Sequence, residues 1–184
     1  MSLAGKKILI FAGPLYEDLE LWYPKIRLEE EGATTVVAGT GEASYQGKHG
    51  YPVTVDTDVA SVDGKDFDGL IIPGGYAPDV MRRSEKLLAL TREIFQAGKP
   101  LGFICHAGWV PISAGILKGK RGTSVPAIRD DVVNAGLIWE DTAVVVDGNL
   151  ISSRRVADLA DFMRAYVQAF AGAEKRPGPA VARK

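Results

Sequence analysis

The chain has 184 residues, 46% hydrophobic and 24% charged, a size and balance that suit one folded domain and exclude a disordered, collagen-like or coiled-coil chain. With 22 Lys and Arg against 23 Asp and Glu, the net charge of −1 leaves no electrostatic footprint for nucleic acid or an anionic membrane. One cysteine allows no intrachain disulfide and suits a reducing compartment.

The opening residues run into an apolar stretch that ends at Gly13. It is too short for a membrane span and lacks a signal-peptide cleavage site, so a cytoplasmic location is expected. Lys7 to Ala12 is a continuous apolar run, the pattern of a strand buried on both faces. Glu17 to Glu31 follows with apolar residues at helical spacing (Leu19, Trp22, Tyr23, Ile26), a kink expected at Pro24 and a stop at Gly32. Ala33 to Ala38 reads as a second strand, and Tyr45 to Val55 as a small excursion of β character. A third strand, Gly69 to Ile72, stops at Pro73-Gly74-Gly75. Ser84 can cap a helix that runs to Ala97, with Gly98 as its stop.

Pro100 to Ile104 is a fourth strand; it reaches Cys105 and then a helix pattern to about Leu117. A basic loop, Lys118 to Arg121, leads to a polar segment through Ala135. Thr142 to Val146 and Leu150-Ile151 flank Asp147-Gly148-Asn149 as a hairpin. The last helix, Val156 to Phe170, carries the clearest stripe: Val156, Leu159, Met163, Tyr166, Val167 and Phe170. One domain over 1–171 with a loose tail over 172–184 is the expected organisation. Alternating strands and helices predict an α/β fold with an open, mostly parallel sheet covered on both faces, and a site at the carboxyl ends of its strands.

Two strand ends carry unusual chemistry. Cys105 sits where a buried strand passes straight into a helix, the geometry of a nucleophile elbow, although Gly102-Phe103-Ile104-Cys105-His106-Ala107-Gly108 does not match the serine motif. A sharp turn there lifts the sulfur above the sheet, and the helix N-terminus favours a thiolate. The competing reading is a small buried hydrophobe. His106 is the adjacent candidate base, or else a solvated helix-start residue. Gly74 and Gly75 let backbone amides approach a ligand, and with the amide of His106 they can form an oxyanion hole; alone, they are a turn. Glu17, Asp18 and Glu20 suit a helix N-terminus on dipole grounds alone, but Glu17 or Glu20 can also project over the strand ends toward Cys105. Asp79 is either an orienting acid for a histidine or a solvated loop residue. His49 has no evident partner. One cysteine and two histidines make no recognisable metal set, and no cofactor is expected.

These residues resemble the ThiJ/PfpI superfamily, of the class I glutamine amidotransferase-like group, and within it the PfpI-type intracellular proteases and deglycases. The resemblance rests on Tyr16-Glu17-Asp18-Leu19-Glu20-Leu21, Gly47-Lys48-His49-Gly50-Tyr51, Ile72-Pro73-Gly74-Gly75-Tyr76-Ala77-Pro78-Asp79 and Ile104-Cys105-His106. It continues in the blocks from Ile112, Lys120, Asp130 and Val145 and covers about Lys7 to Val167. It implies a flavodoxin-like three-layer sandwich, Cys105 at a strained elbow, Glu20 beside the sulfur, Glu17 near the same pocket, and oxyanion amides from Gly75 and His106. It also implies that the histidine meets an acid from a neighbouring subunit. Asp79 stands at that position, where the family has a glutamate, so a dimer or hexamer that shares its site is implied.

The chain departs from the family in Ala107-Gly108-Trp109-Val110-Pro111, where Cys-His is usually followed by Gly-Pro. Trp109 is then a candidate pocket wall and Pro111 a helix disturbance. Val125 replaces a tyrosine, and Arg155-Val156 a Val-Pro pair. The leading expectation is a cysteine hydrolase acting on peptides or on glyoxal adducts of proteins. The alternatives are cofactor-free methylglyoxal conversion, a non-enzymatic redox-sensing or chaperone protein, and an FMN-binding module. The last is disfavoured because Gly13-Pro14-Leu15-Tyr16-Glu17 lacks a phosphate-cradling loop.

Overall fold

The computed structural model describes residues 2–173. The first half of the chain supplies β1 (Lys7–Phe11), α1 (Asp18–Glu30), β2 (Thr34–Gly39), the hairpin strands β3 (Ser44–Gln46) and β4 (Pro52–Thr54), the short β5 (Thr57–Asp58) and β6 (Gly69–Ile72). Then come α2 (Ala77–Met81), α3 (Glu85–Gln96), β7 (Leu101–Ile104) and α4 (Trp109–Ser113). The chain continues through β8 (Arg121–Gly122), α5 (Arg129–Asn134), β9 (Ile138–Trp139), β10 (Val144–Asp147), β11 (Leu150–Ser153) and α6 (Leu159–Ala173).

Seven strands form one sheet in the order β10-β11-β7-β6-β1-β2-β5, all parallel except the edge pair β10–β11. The central strands read as unbroken apolar runs because both sheet faces are covered: every residue of β6, β7 and β11 is buried. The connections β1-α1-β2 and β6-α3-β7 run in opposite directions along the sheet, and right-handed crossovers put their helices on opposite faces. Accordingly α1 packs with α6 in one layer, while α2, α3, α4 and α5 neighbour one another in the other. This is the expected flavodoxin-like three-layer sandwich. Strand order reverses between β1 and β6, and the crevice at that switch point is where a ligand meets strand ends.

Several local expectations hold to the residue. Ser84 caps α3 by accepting from Leu87 N, and Gly98 ends it at φ 72°. Leu150 pairs with Asp147 across the turn at Gly148-Asn149, with Gly148 at φ 67°. Leu159, Met163, Tyr166 and Phe170 are buried along α6, joined by Phe162. The helix runs to Ala173, past the expected start of the tail, and residues 174–184 lie outside the described residues.

Other expectations fail for physical reasons. The predicted apolar face of α1 holds only in part: Trp22 and Tyr23 pack half-buried against the core, but Leu19 and Ile26 are each 52% exposed, while Asp18, Glu20, Leu21, Pro24 and Leu28 are buried. The acids are turned inward because backbone amides from other segments meet them there. The helix runs through Pro24 without interruption; the missing N–H leaves the carbonyl of Glu20 without its usual partner. The long helix expected after Cys105 is instead one 3-10 turn, Cys105–Gly108, and the short α4, ending before Gly115 at φ 71°. Pro111 is tolerated in the first turn of α4, where N–H groups have no helical acceptor. The sequence reading missed α2 and α5, each of five or six residues and too short to show a periodic stripe.

Candidate active site

Three backbone segments meet above the strand ends. Leu15 N donates to Gln46 O (2.9 Å) and Lys48 N to Tyr16 O (2.8 Å). On the other side of the same segment Glu17 N donates to Gly74 O (3.1 Å) and Tyr76 N to Leu15 O (2.9 Å). Residues 15–17 are thus zipped between the β3–β4 hairpin and the turn after β6, with Tyr16 bridging both Gly47 and Gly75. Asp18 locks the hairpin loop by accepting from His49 N and Tyr51 N, each at 2.9 Å. Burial alone would raise its pKa, but those amides outweigh it and hold the carboxyl below the usual range. Tyr16 adds a donated bond to Tyr51 O (2.5 Å) and accepts from Trp22 Nε1 (3.2 Å).

Cys105, the first residue after β7, has φ 62°, the left-handed region that costs an L-residue about 1–2 kcal/mol. Such strain persists where the surroundings over-determine it, and it gathers at functional sites. The elbow expected from the sequence is therefore present. Its sulfur is partly buried and lies 3.3 Å from His106 Nδ1, so neighbours in sequence do face each other here. The backbone amides of His106 and Gly75 bear on the sulfur, each drawing the thiol's pKa down. Gly74 has to be glycine: a Cβ there would lie 2.5 Å from Glu20 Oε2 and 2.8 Å from Cys105 Cβ.

Glu20 is fully buried, and its Oε2 accepts from Gly74 N at 2.9 Å. Desolvation pushes its pKa up to about 8 against that hydrogen bond, with the charge of Glu17 adding to the rise. Glu20 is therefore a protonated acid at neutral pH. Its Oε1 has no hydrogen-bond partner among the described residues and is the atom free to carry the proton. The thiol is pushed up to about 12, first by burial and then by the Glu20 charge, with the two amides opposing. This differs from the low-pKa thiolate expected of an elbow at a helix N-terminus. The helix after Cys105 is one 3-10 turn and a five-residue segment, too short to offer much dipole, whereas desolvation is the largest influence on the thiol. The sulfur needs a base, and His106 is suited to be one: burial, and then the charge of Lys48, lower its pKa and keep it neutral.

A titration follows from Glu20. The folded-state value near 8 lies above the unfolded value of 4.5, so the folded state binds more protons between them. This contribution is fully present below about pH 4.5 and is lost as pH rises through about 8. Urea unfolding of wild type and Glu20→Gln at about pH 5, 6.5 and 8.5 should show wild type falling behind the variant across that window. A constant gap would mean that Glu20 titrates alike in both states.

The remaining candidates are placed less centrally. Glu17 is buried beside this pocket and pairs with Lys48 Nζ (2.8 Å) and His49 Nε2 (3.5 Å), so His49 does have a partner. Glu17, Asp18 and His49 form the one group of possible metal ligands among the described residues, but both carboxylates already hold these partners. Asp79 is exposed on α2, pairs with Arg83 and makes no bond to His106 within the described chain. Trp109 lies 5.4 Å from the His106 ring, donates to Asp131 Oδ2 (2.8 Å) and stacks under the Arg82 guanidinium. It lines an open groove of about 410 Å³ with Arg82, Ile112, Asp131, Asn134 and Ala135, and Cys105 is not part of that lining. Sequence reasoning gave Lys48 no role, although it stood in a quoted block; long-range pairing with Tyr16, not local pattern, brings it here.

Residues 6–169 match the model of the DJ-1/PfpI family. The chain belongs to the DJ-1/PfpI family. A deglycase of Thermococcus kodakarensis is 49% identical over 162 residues, 88% of this chain and 98% of that one. Deglycase PfpI of Pyrococcus furiosus is 47% identical over 162 residues, with the same shares of each chain. Among solved structures, DJ-1beta of Drosophila melanogaster superposes with a TM-score of 0.84 at 30% identity, covering 92% of each chain. The DJ-1/PfpI fold thus accounts for the mostly parallel sheet and the helices that flank it. No helix among the described residues is long and apolar enough to cross a membrane.

Proposed function

We propose that this protein is a cysteine-dependent hydrolase of the DJ-1/PfpI type that removes glyoxal-derived adducts from proteins. The observation that carries this reading is the left-handed Cys105 with its sulfur 3.3 Å from His106 Nδ1 and beside a buried Glu20. His106 takes the thiol proton at Nδ1. The sulfur then bonds to the carbonyl carbon, and the π pair of the carbonyl passes to oxygen. Glu20, protonated at neutral pH, gives its proton to that oxygen, and the amides of Gly75 and His106 follow the negative charge from sulfur to substrate. The deglycase names of the relatives, at close to half identity, support adduct removal over peptide cleavage.

Self-association belongs to the same reading. Among the described residues His106 has no acid partner, and Asp79 stands exposed on α2 beside Tyr76, which is 67% exposed. A second copy can bring its Asp79 to His106, as the family pattern implies. Mixing the protein with a methylglyoxal-modified cysteine peptide, free methylglyoxal and an unmodified peptide separates the activities. The expected result is many turnovers that restore the free cysteine peptide, with no cleaved backbone, from an oligomer in sedimentation. Lactate from methylglyoxal as the sole product would favour the glyoxalase reading. Cleaved peptide would favour a protease, and an active monomer would sink the shared site.

A further inference from the structure

The groove lined from α2, α4 and α5 is unused by this chemistry, yet it begins one indole away from the candidate base. Trp109 stands between the two: its ring lies 5.4 Å from the His106 ring, and the Arg82 guanidinium lies over it at 5.7 Å. Asp131 Oδ2 accepts from the indole N–H at 2.8 Å and so pins the ring by its edge. Arg82 is pinned as well. Its Nε donates to Ser113 Oγ at 2.9 Å, and the indole beneath fixes the plane of the fork.

The business end of that fork is unoccupied within the chain. Every other arginine among the described residues except Arg129 has a carboxylate within 4.0 Å. Arg82 has none, and its two Nη groups find no acceptor among the described residues. Asp131 shares the groove, but its bond goes to the indole, and it makes no ion pair with Arg82 among the described residues. Arg129 stacks on Trp139, outside the groove lining. Arg82 is therefore unpaired, oriented and set in a concavity of about 410 Å³, with Ile112 and Ala135 as apolar wall. A half-buried guanidinium held in this way is complementary to a carboxylate, which it meets with two parallel N–H donors.

We propose that this groove receives the polypeptide chain of the substrate beside its adduct, and that Arg82 selects chains that carry an acidic side chain there. The inference rests on the proposed function. The steps from sulfur to imidazole, to indole and to guanidinium bound the span, so no more than about five extended residues separate adduct from acid. Asp131 does not compete for the same place: it sits at the edge of the indole, while the guanidinium lies over its face. Its second oxygen, Oδ1, and the Asn134 amide remain for main-chain groups of the same chain.

The test is a preference, because a ratio measured within one protein cancels general damage. Peptides that carry a methylglyoxal-modified cysteine are made to differ in one residue, glutamate, glutamine or lysine, at about two to five positions from it on either side. In wild type, kcat/KM for the best glutamate peptide should exceed that of its glutamine counterpart about fivefold or more, through KM, and the gain should shrink in about 0.5 M salt. Arg82→Lys should keep part of the preference, Arg82→Gln should bring the ratio near one, and Arg82→Glu should put lysine ahead of glutamate. Fluorescent peptides without the adduct, read by anisotropy, measure the groove apart from the chemistry and should rank in the same order. Equal turnover of the three peptides by wild type, or a glutamate preference that survives Arg82→Glu, overturns the inference and leaves the proposed function standing. Ranked binding with no turnover of any adduct upholds the acidic-chain site and sinks the function. A change of oligomeric mass in Arg82→Glu, with no ranking of peptides in either protein, gives the groove to a second copy of the chain and overturns the inference.

Discussion

Cys105→Ala is expected to lower kcat/KM for the adduct substrate by about 10³-fold or more, on the order of 4 kcal/mol of transition-state stabilisation. The size follows from what the change removes and what it keeps. It removes the atom that, in the proposed reaction, bonds to the carbonyl carbon. It keeps the Cβ, so the left-handed backbone at φ 62° and the amides of Gly75 and His106 stay where they are. Substrate binding therefore survives, and the loss falls on kcat more than on KM. Residual activity within tenfold of wild type would mean that water or another side chain does the attacking, and the elbow would be an ornament of the fold. Cys105→Ser should lie closer to alanine than to wild type, because an alcohol is a poorer nucleophile than a thiol and His106, 3.3 Å from the sulfur in wild type, has no carboxylate among the described residues to orient it as a base.

The second large effect concerns Gly75→Ala, expected to cost about 4 kcal/mol of stability. Gly75 has φ 79°, which alone penalises alanine, and a Cβ there would press on Glu17 N and lie 2.5 Å from Leu15 O. Those are backbone atoms inside the zipper, so nothing can swing aside. Gly98→Ala isolates the clash: its φ is 72°, but no atom lies within 4 Å of the added Cβ, so about 1 kcal/mol is expected. Urea unfolding of the two variants gives the difference. Equal losses would show that the zipper yields and that the amide of Gly75 is not rigidly held.

The parts of this protein legible in its sequence are those written in local pattern. Continuous apolar runs gave β1, β6 and β7; Ser84 and Gly98 bracketed α3; and Asp147-Gly148-Asn149 announced a hairpin. Cys105 and Gly74-Gly75 were legible because strand ends are where such residues have reason to stand. The face of α1 was not, since its inward side is chosen by amides from Gly74, His49 and Tyr51, residues far away along the chain. Lys48 was hidden for the same reason. The protonation of the sulfur was misread because the helix N-terminus and the Cys-His pairing were weighed without the cost of burial beside Glu20.

The zipper around Tyr16 also bears on how such a protein can change its habits. The frame that holds residues 17, 48 and 76 is made of main-chain bonds, and main-chain bonds survive replacement of the side chains they carry. Three sockets of fixed position thus stand on the one segment that borders the strand ends. Their heads can be exchanged one at a time, acid for amide or cation for apolar chain, while the strands beneath stay in register. A lineage can therefore wander in what it accepts without first loosening the scaffold, and a designer wanting a new preference has three places to begin.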